Sequence, residues 1–73
     1  MDEYEVKRII KEAIPDANVE VITEDNRHYE AIVTSKTFEG KSMVEQHQIV
    51  LNALKDALKS GLHAIAIKTR VPE

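Results

Sequence analysis

A chain of 73 residues, 42% hydrophobic and 32% charged, is expected to form one domain spanning 1–73, near the size at which a single apolar core barely suffices. With no cysteine there is no disulfide framework, and a metal site must draw on His, carboxylates or ligands from another molecule. The formal net charge of -3 opposes non-specific binding to nucleic acid, whose affinity comes from Lys and Arg displacing phosphate counterions.

The first element predicted is a helix. Asp2-x-x-Glu5 has capping-box spacing, Val6, Ile9, Ile10 and Ala13 share one face, and Pro15 ends the helix by disfavouring helical geometry at Ile14. Residues 17–22 then alternate with period two, and residues 29–34 do so less cleanly, with Ile32 on the nominally polar side. The polar run Glu24-Asp25-Asn26-Arg27 between them makes the pair an antiparallel hairpin.

Ser42 and Glu45 form a second capping box, followed by Val44, His47, Leu51, Leu54 and Leu58 as a helical core stripe. Ser60-Gly61 stops this helix, Gly tolerating the left-handed position after a helix end. No break within residues 46–59 is legible. Residues 62–69 are rich in β-formers and lack the polar alternation of an exposed edge, which predicts a third strand. The order is αββα(α)β, an α+β fold in which helices cover one face of a three-stranded sheet. Tyr29, Ala31 and Val33 are expected to meet Val6, Ile10, Val44, Leu51 and Leu54 in its core, with Phe38 also inward.

The acidic start Met1-Asp2-Glu3 lacks an apolar run, and no stretch approaches the roughly 20 apolar residues that cross a bilayer, so the expected location is the cytoplasm, away from membranes. No Gly-rich phosphate loop, catalytic triad or paired-carboxylate spacing is present, and an enzyme is not expected. The three His then carry most of the chemistry. His47, between Val44 and Leu51, reads as a partly buried structural imidazole bonded to a nearby carbonyl. His63 follows Ser60-Gly61-Leu62 at a strand start, and His28 precedes Tyr29 at another. Each is either a solvent-facing strand-end residue or an accessible ligand.

Two segments carry a resemblance. Phe38-Glu39-Gly40-Lys41-Ser42-Met43-Val44-Glu45-Gln46-His47-Gln48, and then Leu62-His63-Ala64-Ile65-Ala66-Ile67-Lys68-Thr69, resemble the BolA family. That family has a Phe-x-Gly loop leading into a His-bearing helix, and a final strand that opens with a second His. Gln46 and Gln48 stand where it usually has Arg, and the chain stops at Pro72-Glu73, where many members continue through a Trp and a polar tail. The resemblance implies a type II KH-like topology, with Phe38, Gly40 and His47 structural. It also implies a binding module that partners a monothiol glutaredoxin and shares a [2Fe-2S] cluster with it and with glutathione. In that arrangement His63 is a ligand and His28 a second candidate, and the isolated chain holds no cluster and is a monomer or a weak homodimer. A nucleic-acid-binding regulator is the alternative the resemblance suggests, with Lys36, Lys41, Lys68 and Arg70 as a basic rim, although the Gly-x-x-Gly loop of KH domains is absent.

Overall fold

Asp2 begins the fold by accepting the backbone N–H of Glu5 at 3.0 Å, which caps helix α1, Glu3–Ala13. The computed structural model describes residues 2–62 and 64–73. After α1, which stops one residue before Ile14 as Pro15 requires, come β1, Asn18–Thr23, and β2, His28–Thr34. A short 3-10 turn at Lys36–Phe38 leads into α2, Met43–Ala53, then α3, Lys55–Ser60, and β3, Ala64–Arg70. The sheet order is β1-β2-β3, with β1 antiparallel and β3 parallel to the central β2. Parallel strands need a long connection, and α2 with α3 supplies it.

Strict alternation along β2 sends Tyr29, Ala31 and Val33 into the core, with Val19 and Val21 beside them from β1. Val6 and Ile10 of α1 close over this face, and α2 lies over β3. The opposite face carries Glu20, Ile22, His28, Glu30, Ile32, Lys68 and Arg70, and no helix among the described residues covers it. No helix among the described residues is long and apolar enough to cross a membrane.

The α2 face differs from the expected stripe. Leu54 is fully buried, but Val44 is 67% exposed, Leu51 41% and Leu58 37%. The buried stripe is the neighbouring one, Gln46, Val50, Leu54 and Ala57, flanked by Ile49. Gln46 is the reason. Its Nε2 donates to the carbonyls of Lys41 (2.9 Å) and Phe38 (3.4 Å), and its Oε1 accepts from the Thr69 hydroxyl at 2.6 Å. A fully satisfied amide can sit in the core and rotate α2 so that Leu51 faces out.

The helix also breaks at Leu54, where φ -94 and ψ 2 leave helical geometry and the N–H is shared between the carbonyls of Val50 (3.1 Å) and Leu51 (3.2 Å). Gly61, with φ 140, ends α3 as expected. β3 is an edge strand despite its apolar character, because among the described residues it pairs only with β2, and its inward residues Ile65 and Ile67 are covered only in part.

The Phe-x-Gly loop has a simple cause. Phe38 is fully buried, Glu39 has φ -61 and ψ 131, Gly40 has φ 77, and the Lys41 N–H bonds the Phe38 carbonyl at 3.1 Å. Those are the marks of a type II turn, whose third position needs positive φ and hence Gly. The turn lets the chain leave a buried aromatic and enter α2 at its Ser42–Glu45 capping box.

Candidate metal-ligand site at the hairpin end of the sheet

The β1–β2 loop is built around Asp25. Its Oδ1 accepts the backbone N–H groups of Arg27 and His28, both at 2.9 Å, while its Oδ2 lies 2.9 Å from Nδ1 of His28. These bonds, the His28 N–H first, hold the Asp25 carboxyl well below the usual carboxylate range. Asn26 takes φ 58, a conformation Asn tolerates, and its N–H bonds Thr23 Oγ1 at 3.0 Å. Its carbonyl accepts the Tyr29 hydroxyl at 3.1 Å, and burial raises the pKa of that phenol.

His28 is therefore fixed at one nitrogen and open at the other. Its side chain is 76% exposed and lines two shallow depressions. One, of about 400 Å³, is shared with Ile22, Asp25 and Glu30, and the other, of about 290 Å³, with Ala64 and Ile65. In the parallel register His28 is the partner of Ala64, the first residue of β3. His63, the leading ligand candidate of the sequence, lies outside the described residues.

His47 is elsewhere. Half-buried on α2, it lines a depression of about 320 Å³ with Met43, Ile67 and Arg70. No carbonyl among the described residues accepts from its ring, so packing rather than the expected hydrogen bond holds it. Of the two Gln flanking it, Gln46 is buried and only Gln48 meets solvent.

Of the four cations, Lys68 and Arg70 stand two apart on β3 and line one depression with His47. Lys68 stands on the open sheet face 3.4 Å from Glu30, which offsets its charge. Lys36, Lys41 and Arg70 gather at the far end of the sheet, where the Ser35 N–H bonds the Arg70 carbonyl at 3.0 Å and Gln46 ties Lys41 to Thr69. The seven-residue strand β2 separates that end from His28 by on the order of 20 Å. Asp16, singled out by no sequence pattern, organises the basic end: its carboxylate accepts the Ser35 hydroxyl at 2.8 Å and the Lys36 N–H at 3.0 Å.

The family model for BolA-like protein matches residues 4–73. The chain belongs to the BolA family. A solved BolA homologue from Coxiella burnetii superposes with a TM-score of 0.87 at 32% identity, covering 99% of this chain and 92% of that one. The BolA domain of SufE1 from Arabidopsis thaliana gives 0.81 at 28% identity, with 96% and 91% covered. In sequence, the uncharacterized protein RP812 of Rickettsia prowazekii is 34% identical over 67 residues, 89% of this chain and 87% of its own length. Other curated relatives are longer than the part matched: the BolA-like chain spans 31% of the chloroplastic protein BOLA1 and 12% of SufE-like protein 1, both of Arabidopsis thaliana.

Proposed function

We propose that this BolA-like chain is a binding module that partners a monothiol glutaredoxin and co-ligates a [2Fe-2S] cluster, in iron-sulfur cluster handling or iron-responsive regulation. The observation that carries the reading is His28: an open imidazole at a sheet end, held through Nδ1 by a carboxylate, as metal-binding His commonly are. The donor set fits a shared group. The chain has no thiol, and the described residues contain no group of three or more His, Cys, Asp or Glu placed to hold a metal, so other molecules must complete the site. Thiolates of a glutaredoxin and of glutathione are ligands of the needed softness.

His28 and His63 are the residues that would hold the cluster, His63 directly preceding the register partner of His28 in the chain. When bound, the cluster supplies one-electron chemistry and iron to be passed on or sensed, at a potential that His in place of Cys raises. What the protein contributes is a neutral nitrogen donor, its orientation, and an open depression beside it.

The test is reconstitution with a monothiol glutaredoxin, glutathione, iron and sulfide, followed by absorption and circular dichroism. A spectrum distinct from the glutaredoxin's own all-thiolate cluster is expected. His63→Ala should erase the difference and His28→Ala should weaken it, both variants remaining folded. An unchanged mixed spectrum in folded His63→Ala overturns this reading.

A further inference from the structure

We infer that Asp25 is a positioning residue for His28, holding its neutral ring as the Nδ1–H tautomer so that Nε2 is the nitrogen offered to a metal. The inference deepens the reading of His28 as a cluster ligand and, in its metal-binding consequence, rests on it. The geometry is a two-sided clamp. Asp25 Oδ1 is spent on the N–H groups of Arg27 and His28, both at 2.9 Å, which fixes the carboxylate plane. The other oxygen, Oδ2, then lies 2.9 Å from Nδ1 and can only accept, since an ionised carboxylate has no proton to give.

Nδ1 must therefore be the protonated nitrogen of the neutral ring, and the Nε2 lone pair is left free for another molecule. The loop is ordered for this task in advance. The Asn26 N–H bond to Thr23 and the Tyr29 hydroxyl bond to the Asn26 carbonyl set the turn independently of the His28 ring. An imidazole without such a partner exchanges between tautomers, and one whose Nε2 bears the proton has no lone pair there to donate.

The test separates loop shape from tautomer. In Asp25→Asn the side-chain oxygen can still accept both backbone N–H groups, but the amide nitrogen now faces Nδ1 and donates to it. Long-range proton–nitrogen correlation spectra of the isolated, ¹⁵N-labelled chain, at a pH where the ring is neutral, read the tautomer directly. His28→Ala assigns the signals.

The wild type should show His28 mainly as Nδ1–H, and Asp25→Asn should reverse it to mainly Nε2–H, with backbone amide shifts outside residues 23–29 unchanged. A wild-type ring that is mainly Nε2–H, or a tautomer unchanged by Asp25→Asn, overturns the inference. The same labelled proteins in the reduced complex with a monothiol glutaredoxin are then read by pulsed electron paramagnetic resonance. Coupling of His28 nitrogen to the cluster in the wild type and its loss in Asp25→Asn supports the inference, and its persistence in Asp25→Asn overturns the metal-presenting role. Absence of that coupling in the wild type, with the tautomer result intact, overturns the ligand reading instead and leaves the tautomer assignment supported.

Discussion

Asp16 and Gln46 show how single polar residues hold this fold together. The Ser35 hydroxyl, followed by the Lys36 N–H and the Thr37 hydroxyl, holds the Asp16 carboxyl below its ordinary 3.8. A carboxyl depressed in the folded state stabilises fully above that ordinary value and loses its contribution as pH falls through the lower folded one. Asp16→Asn should therefore lower Tm at neutral pH, and the gap to the wild type should narrow in acid below about 3.8, as thermal melts across pH will show. Gln46 is a different case, a buried amide with every polar atom occupied. Gln46→Ala removes the partner of the Lys41 carbonyl, leaves the Thr69 hydroxyl only the weakly accepting Met43 thioether at 3.4 Å, and should cost about 1–3 kcal/mol by urea denaturation. Adding Thr69→Val should recover part of that loss, since it removes the hydroxyl left with only the thioether.

The helices illustrate why periodicity finds an element before it finds the element's orientation. Two adjacent stripes along α2 and α3 have helical spacing, and the expected one, with Val44, His47, Leu51 and Leu58, is the more exposed. Leu54 belongs to both. Leu54→Ala should cost on the order of 2–5 kcal/mol, a large part of the stability of so small a domain, whereas Leu51→Ala should cost less than about 1 kcal/mol. Urea midpoints measure both, and equal losses would restore the original stripe. The break between α2 and α3 lies at that same Leu54. Its identity gave no warning of it, because Leu is a good helix former.

At the scale of the whole molecule, chemistry is divided between two ends of one sheet. His28 and the acidic hairpin occupy one end, and Lys36, Lys41 and Arg70 the other. Any affinity for DNA or RNA should therefore be weak, salt-sensitive and confined to the second end. Neutralising Lys36 and Arg70 together should lower it and reduce the salt slope by about 2, while His28→Ala leaves it unchanged, a comparison that fluorescence anisotropy across a salt series can make. Neutralising Lys68 should matter little, since Glu30 offsets its charge.

The sequence by itself determined the order of the elements apart from the division of α2 from α3, the hairpin, the caps of α1 and α2 and the inward face of β2, because capping, turn chemistry and strand alternation are local interactions between near neighbours. It also carried the family, through the segments Phe38-Glu39-Gly40 and Leu62-His63-Ala64. Only the tertiary structure decided which stripe of α2 is buried, that β3 lies at an edge, and that Lys68 stands against Glu30. Those outcomes depend on groups distant in sequence, such as Gln46 with Thr69 and Lys68 with Glu30. The Asp25–His28 pair lies between. Its residues are three apart, but a carboxylate finds that ring nitrogen only because the hairpin register closes the turn around it.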